Sequence, residues 1–235
     1  MRGLLMVILV LAFAGSAVAT EEKRFWKSDL ELGFVQTGGN TQTRTLNAKG
    51  KLVGDGEVLR TTIEGSALST TDRKTTTAEK YSASIQEDWK MTAYDYLFGR
   101  LGFDTDRFGG FKRRLSETVG YGRELIKSET LDWKIELGAG VRQTTLIPAE
   151  NRNEIIGRAS TAVRWKINDA ATFTQALSSE GGKEGFVSKS VTALQQKLNS
   201  RLSSKISFLA QHTSKVPVGT KNTNTEIGLT LVWSY

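Results

Sequence analysis

Apolar and polar side chains alternate along the last twelve residues of the chain, Asn224 to Tyr235. One face of this segment carries apolar and aromatic residues at every second position: Ile227, Leu229, Leu231, Trp233 and Tyr235. A period of two predicts a β-strand, because successive side chains of a strand point to opposite faces. A tilted strand of about ten residues also spans the hydrocarbon core of a bilayer, and the two terminal aromatic rings suit a membrane interface. The segment therefore predicts a membrane-spanning strand.

The same period of two recurs along most of the chain, and no stretch has the pattern of a long amphipathic helix. In one of the clearest examples, Trp133, Ile135 and Leu137 alternate with Lys134 and Glu136. Such alternation is typical of a barrel strand with one face toward lipid and one toward a polar interior. We predict twelve strands, over residues 28–37, 45–52, 59–67, 81–89, 94–104, 116–124, 132–143, 155–165, 172–179, 187–195, 204–213 and 224–235. The pattern is weakest over 116–124 and 187–195, where the register stays open.

An even number of strands favours an antiparallel up-and-down β-barrel with both termini on the periplasmic side. Short turns such as Gly54-Asp55-Gly56 separate some strands, and longer polar loops are predicted at 70–77 and 106–114. The alternative is an edge strand of a soluble β-sandwich. A long, flat, apolar edge would invite aggregation, whereas closure into a barrel removes the edge. We therefore predict an all-β transmembrane barrel of about twelve strands over residues 20–235.

The amino terminus has the features of a cleaved signal peptide. Arg2 supplies the positive charge, residues 4–13 form the apolar segment, and Ala17-Val18-Ala19 provides the cleavage motif. We expect removal of residues 1–19 and residence in the outer membrane of a Gram-negative cell. The chain has no cysteine and only two prolines, which fits a fold held by inter-strand hydrogen bonds rather than by disulfides.

The formal net charge is +7, and three explanations for it are possible. Nucleic-acid binding is disfavoured, because the basic residues are dispersed and no recognition motif is present. A solvated basic surface stays open as the second explanation. Attraction to the phosphates of lipopolysaccharide is favoured, because an exported chain would meet such lipids.

Charged residues on the polar faces of the predicted strands would point into the barrel. Nine of them are predicted to line its interior: Lys49, Arg60, Glu64, Arg100, Lys134, Glu136, Arg142, Arg158 and Arg164. Glu31, Lys51 and Glu226 are predicted to share that face. Opposite charges should pair across strands, because an unpaired buried charge is costly. Two functions fit such an interior: a narrow channel for small polar or anionic solutes, and a closed structural barrel without transport.

An enzymatic alternative rests on His212 and Ser214, which share one face of a strand, with Glu226 as an orienting carboxylate. The pair resembles the His-x-Ser of outer-membrane lipid A deacylases. However, Lys215 stands where that family has asparagine, and Glu226 is predicted to face inward while His212 faces outward. We expect no enzymatic activity.

Neither a metal nor another cofactor is predicted. The acidic residues near the predicted outer rim lack metal-ligand spacing. These residues are Asp104, Asp106, Glu117 and Glu184.

Several short motifs resemble the YdiY-like family of salt-induced outer-membrane proteins, a domain of unknown function. The segment 32–43 contains the Gly39-Asn40-Thr41 core of the opening motif. Similar to later motifs are Asp106-Arg107-Phe108, Gly120-Tyr121-Gly122-Arg123 and Pro217 to Gly219. The resemblance implies an outer-membrane β-barrel whose biochemical role is open, a component of the salt-stressed envelope being one candidate, and it brings no catalytic residues.

The terminal strand also resembles the last strand of bacterial outer-membrane barrels, which the barrel-assembly machinery reads. That resemblance implies an assembly signal made of Ile227, Leu229, Leu231, Trp233 and Tyr235. We expect outer-membrane lipids and lipopolysaccharide as partners, with periplasmic chaperones and the assembly machinery during biogenesis. No nucleic-acid partner is expected, and the mature chain is expected to be a monomer.

Overall fold

Twelve β-strands make up nearly all of the described chain. A computed structural model describes residues 25–36, 43–73, 75–108, 111–147, 150–216 and 221–235. The strands are β1 (Phe25–Gln36), β2 (Thr43–Asp55), β3 (Leu59–Asp72), β4 (Thr75–Lys90), β5 (Asp95–Asp106), β6 (Phe111–Lys127), β7 (Leu131–Leu146), β8 (Asn151–Lys166), β9 (Ala171–Gly182), β10 (Gly185–Lys197), β11 (Leu202–Thr213) and β12 (Thr223–Ser234). Among these residues no helix is long and apolar enough to cross a membrane. The predicted signal peptide and the motifs around Gly39 and Pro217 lie outside the described residues.

The twelve strands form one closed barrel in which each strand pairs with its neighbours in sequence. The barrel closes between β1 and β12, which run antiparallel with Leu30 opposite Trp233. Beyond that point the backbone N–H of Tyr235 donates to the carbonyl of Ser28 at 2.8 Å, and the N–H of Ser28 donates back at 2.8 Å. The predicted all-β up-and-down barrel is confirmed. The terminal strand, β12, is one of the two strands that close it.

Side chains alternate between the two faces of the barrel wall. On the outer face Leu137 is 62% exposed, whereas Tyr96 and Val232 on the inner face are 2% and 1% exposed. The five residues of the predicted assembly signal all lie on the outer face, and each is at least 51% exposed. The wall therefore has an apolar exterior and a polar interior, as a bilayer requires of a barrel.

The tryptophans mark one rim of the barrel. The chain has five tryptophans, and all five point outward near the rim at which β1 begins and β12 ends. They are Trp26, Trp89, Trp133, Trp165 and Trp233, with exposures between 39% and 51%. Indole rings gather where lipid head groups meet the hydrocarbon core, so this tryptophan girdle defines one membrane interface.

At the rim away from the girdle the strands extend farther than predicted. β3 continues to Asp72 and β4 begins at Thr75, so most of the predicted loop 70–77 is strand. β6 begins at Phe111, inside the predicted loop 106–114. The prediction of long loops was wrong at both places. Outside the bilayer both faces of a strand meet water, so the apolar alternation stops there while the hydrogen-bond ladder continues.

β10, one of the two strands with a weak pattern, has an unusual outer face. Ser188, Ser190 and Thr192 point outward, between the exposed apolar residues at the two ends of the strand. Thr192 donates to the Oε1 of Gln175 at 2.5 Å, and the Nε2 of Gln175 donates to Ser190 at 3.1 Å. Ser188 shares a 2.9 Å hydrogen bond with Ser179. The inner face of β10 carries Val187, Val191 and Ala193 beside Lys189, so the usual pattern of apolar residues outside and polar residues inside is partly inverted. This inversion explains why the sequence pattern is weak there.

Candidate functional site

Charged side chains line the interior of the barrel. The register of the strands places all nine predicted lining residues on the inner face, with Glu31, Lys51 and Glu226. Among the further charged residues on that face that sequence reasoning missed are these ten: Lys80, Asp88, Asp104, Asp106, Arg114, Glu124, Glu154, Glu180, Lys189 and Lys205. Six of these ten are acidic, so the interior is more evenly balanced than the sequence indicated.

A hydrogen-bonded network of charges lies in the half of the barrel nearer the tryptophan girdle. Arg60 donates through Nε to Asp88 at 2.8 Å and through Nη1 to Glu124 at 2.7 Å. Gln86 then donates through Nε2 to Asp88 at 2.8 Å and to Glu136 at 3.0 Å. Asp88 and Glu136 are only 1% and 4% exposed. This Arg60–Glu136 network ties β3, β4, β6 and β7 together, and it gives each buried carboxylate a partner.

A second cluster lies farther from the girdle, around Arg142. Its Nε and Nη2 donate to the Oε1 of Glu154 at 2.9 and 2.6 Å. Its Nη1 lies 3.8 Å from Glu180, and Arg158 lies 3.9 Å from the same carboxylate. Two arginines thus share Glu180 through long contacts. The Glu180 carboxylate therefore neutralises neither arginine fully.

Two ion pairs reach across the bore. Lys189 of β10 lies 3.7 Å from Asp104 of β5, and Lys80 of β4 lies 3.2 Å from Glu226 of β12. β5 and β10 are five strands apart in a closed ring of twelve, so they stand on nearly opposite sides. The bore is therefore narrow at the level of Lys189 and Asp104. Their side chains are 40% and 29% exposed, so water reaches this pair.

Arg100 and Arg114 are the arginines of the inner wall that lack a carboxylate partner. Within the described part of the chain neither forms an ion pair, although Asp104, Glu180 and Glu154 attract Arg114 from a greater distance. Arg114 instead lies over the ring of Phe111, 4.2 Å from its centroid. Sequence reasoning placed Arg114 in a basic outer loop, but the early start of β6 brings it onto the wall. Its neighbour Arg113 points outward and donates to Thr145 at 3.3 Å.

The three residues of the enzymatic alternative are not brought together. The Nδ1 of His212 lies 3.0 Å from the hydroxyl of Thr223, and the hydroxyl of Ser214 accepts a hydrogen bond from Phe186 at 2.8 Å. Glu226 points to the inner face, as the sequence predicts. Across the described residues no contact joins the histidine, the serine and the carboxylate.

Three of the four acidic residues predicted near the rim away from the girdle pair with separate cations, whereas Glu117 forms no ion pair among the described residues and its Oε1 is buried without a hydrogen-bond partner. Asp106 lies 3.7 Å from Lys80, and Glu184 accepts a 2.9 Å hydrogen bond from Arg152. Arg152 also donates to Glu150 at 2.9 Å, and this hydrogen bond lowers the pKa of the Glu150 carboxyl. In the ranges that the structure describes, no group of three or more acidic or histidine side chains could hold a metal ion.

The sequence matches one family over almost its entire barrel. The family model "Protein of unknown function, DUF481" matches residues 30–235. A curated relative, the uncharacterized protein YdiY of Escherichia coli (strain K12), is 29% identical over 195 residues, which are 83% of this chain and 77% of that protein. The chain therefore belongs to the DUF481 family, and the predicted YdiY-like resemblance is confirmed.

Two solved structures share the fold at low sequence identity. A NanC porin gives a TM-score of 0.54 at 12% identity, with 88% of this chain and 98% of that chain covered. The COG4313 outer membrane channel from Pseudomonas putida F1 also gives 0.54, at 8% identity, with 92% and 98% covered. At these identities the likeness concerns the fold alone. The chain is a β-barrel of the outer-membrane type.

Proposed function

We propose that this member of the DUF481 family is a narrow channel in the outer membrane of Gram-negative bacteria, which passes small polar solutes and favours anions. The observation that carries the proposal is the inner wall. Ion pairs restrict the bore there, and Arg100 and Arg114 form no ion pair with any carboxylate of the described residues. In this proposal residues 1–19 are the export signal and are cleaved.

The size of the barrel supports restricted passage rather than an open pore. Twelve strands enclose a bore between the filled interior of eight-stranded barrels and the aqueous channel of sixteen-stranded porins. The pair formed by Lys189 and Asp104 narrows that bore further. Both side chains are long or partly exposed, so a solute could displace them without unfolding the wall.

The placement of unpaired charge supports the preference for anions. A carboxylate in direct contact cancels most of the field of a neighbouring cation, and among the described residues Arg100 and Arg114 have no such contact. A narrow bore with low-dielectric walls focuses the remaining positive field of these arginines, and this field enriches anions in the bore. Salt screens such a field, so the preference should weaken as ionic strength rises.

The second candidate function is a closed structural barrel. The observation that favours it is the pair of cross-bore contacts, Lys189 with Asp104 and Lys80 with Glu226, which could hold the interior shut. A role in the salt-stressed envelope, which the family resemblance implies, fits either function and stays a prediction.

Single-channel recording separates the two functions. The purified barrel, with folding verified by its heat-modifiable migration on a gel, is added to planar lipid bilayers. We expect small, stable conductance steps, and the heat-denatured protein from the same preparation serves as the control. If verified barrels insert repeatedly and the bilayers stay silent, the channel proposal fails and the closed barrel takes its place.

Activity and partners are part of the same proposal. We propose a monomer without enzymatic activity that contacts lipopolysaccharide and the surrounding outer-membrane lipids. Its last strand, with Tyr235 at the end, would be read by the barrel-assembly machinery after periplasmic chaperones deliver the chain. Incubation with lipid A should leave the mass of the lipid unchanged, and loss of an acyl chain would overturn the non-enzymatic assignment.

A further inference from the structure

Four buried hydrogen-bond donors without an acceptor lie on three adjacent strands. They are the Nε of Arg114 and the hydroxyl of Thr118 on β6, the Nη1 of Arg142 on β7, and the Nε of Arg158 on β8. Thr118 and Arg142 are 2% and 4% exposed. Buried donors are usually paired, because a donor that loses water and gains no acceptor is destabilising. Their grouping on one stretch of wall indicates an acceptor that the protein itself does not supply.

The strand register shows how these side chains meet. Arg100 on β5 lies opposite Thr118, which lies opposite Gly140 on β7. Arg158 on β8 lies opposite Gly138. Gly140 adds no side chain to the middle of this stretch, while Gly138 makes room for the buried ring of Phe98, which would lie 3.0 Å from a Cβ at that position. The long arginines at its borders therefore surround this ring and the bare backbone at Gly140. A Cβ at Gly140 would lie 1.9 Å from a backbone carbonyl oxygen of β6, so the close packing of β6 and β7 itself requires glycine there.

The charge of this stretch is positive after internal pairing. Arg100, Arg114, Arg142 and Arg158 meet Glu154 and Glu180 there. Asp104 is shared, because it attracts Arg114 and also pairs with Lys189 across the bore. Arg142 repels Arg114, and Arg100 repels Arg158. Like charges held this close favour an anion between them.

We propose that this arginine patch, formed by Arg100, Arg114, Thr118, Arg142 and Arg158, is a binding site for a small oxyanion. Guanidinium groups match the geometry of carboxylates and phosphates, and a hydroxyl donor adds a fifth side chain to the set. Carboxylate and phosphate groups share this chemistry, so a carboxylated or a phosphorylated solute would fit. The inference deepens the proposed function and rests on it for transport, but binding can be measured without conduction.

Isothermal titration of the folded barrel in a zwitterionic detergent tests the site. Sodium phosphate and sodium acetate are the two probes, and sodium chloride at the same ionic strength is the reference. We expect saturable binding of at least one oxyanion that chloride does not reproduce, and the better probe identifies the preferred group. If neither oxyanion binds saturably, water alone fills the site and the proposal is overturned.

Two variants and one control locate the binding. Arg114→Gln should weaken binding about tenfold or more, the usual effect of losing one hydrogen bond from a charged donor. Thr118→Val should also weaken binding, yet raise the unfolding midpoint of the ion-free barrel, because it removes a buried hydroxyl without an acceptor. If Thr118 had a purely structural role, its replacement would not both weaken anion binding and raise the unfolding midpoint. Arg113→Gln, the neighbouring residue on the outer face, should bind like the wild type; an equal loss there would overturn the site.

Conductance separates this inference from the proposed function. If bilayers stay silent while phosphate or acetate still binds and Arg114→Gln weakens it, the channel fails and the site stands. If the barrel conducts but no oxyanion binds, the site fails and the channel stands. If both stand, phosphate or acetate should reduce the chloride current of the wild type more than that of Arg114→Gln.

Discussion

Glu136 is the acceptor that several side chains of the Arg60–Glu136 network share. Its carboxylate accepts hydrogen bonds from Gln86 at 3.0 Å, from the Tyr96 hydroxyl at 3.0 Å and from Ser160 at 2.9 Å. The Nζ of Lys134 lies 3.3 Å away. Glu136 is only 4% exposed, so water cannot replace a lost carboxylate there unless the wall reorganises. The substitution Glu136→Ala therefore leaves three donors and one cation without this acceptor.

We expect Glu136→Ala to lower the free energy of unfolding by about 3–5 kcal/mol, the usual cost of removing one partner from a buried ion pair. Three lost hydrogen bonds at about 1 kcal/mol each lead to the same range. The Lys134 side chain is 38% exposed and can turn toward water, which favours the lower end of that range.

The matched control is Glu64→Ala on the same inner wall. The Glu64 side chain is 44% exposed, and among the described residues its one ion pair is with Lys51 at 2.9 Å. Removing the Glu64 carboxylate should lower the free energy of unfolding by about 0–1 kcal/mol, the usual effect of losing an exposed ion pair. Urea unfolding of the barrel in lipid vesicles, followed by tryptophan fluorescence and heat-modifiable migration, measures both changes. Equal losses for the two variants would refute the reasoning that burial and the shared acceptor set the cost.

Three further predictions concern the outer wall, the bore and assembly. Leu137→Arg should destabilise the barrel by about 2–4 kcal/mol in the same unfolding assay, because it places a charge on the lipid-facing wall; an unchanged midpoint would contradict the outward orientation of Leu137. Asp104→Ala should raise single-channel conductance, because it removes one half of a cross-bore pair, whereas Asp169→Ala in the exposed turn after β8 should not. Tyr235→Ser should reduce the amount of heat-modifiable barrel in outer-membrane fractions without changing export, and a normal yield would argue against the terminal assembly signal.

The spanning parts of the strands could be predicted from the sequence because the bilayer imposes one simple pattern. Trp133, Ile135 and Leu137 meet lipid while Lys134 and Glu136 meet the interior, so the face of each residue follows from its position alone. The same reasoning fails where lipid is absent. The threonine-rich ends of β3 and β4 are polar on both faces, and Arg114 lies in a run of basic residues without alternation. Both were therefore read as loops.

The sequence predicts that opposite charges pair inside the barrel, but it does not predict every pair that forms. The expectation that opposite charges pair across neighbouring strands is met by Arg142 with Glu154, whose strands are adjacent. No local pattern indicates that Lys189 meets Asp104, because that contact depends on how a closed ring places β5 and β10 opposite each other. Whether Arg100 finds an ion-pair partner likewise depends on which side chains the surrounding strands place near it. The alternation of apolar and polar residues along one strand does not contain that information.

The preference of the bore for anions is tested most directly by the reversal potential of single barrels in a planar bilayer under a gradient of potassium chloride. The channel proposal predicts a potential whose sign reports chloride permeating faster than potassium. The double variant Arg100→Gln/Arg114→Gln should move that potential toward zero, and so should a higher total salt concentration, because salt screens the same charges. A potential of the opposite sign in the wild type, or verified barrels that never conduct, would contradict it.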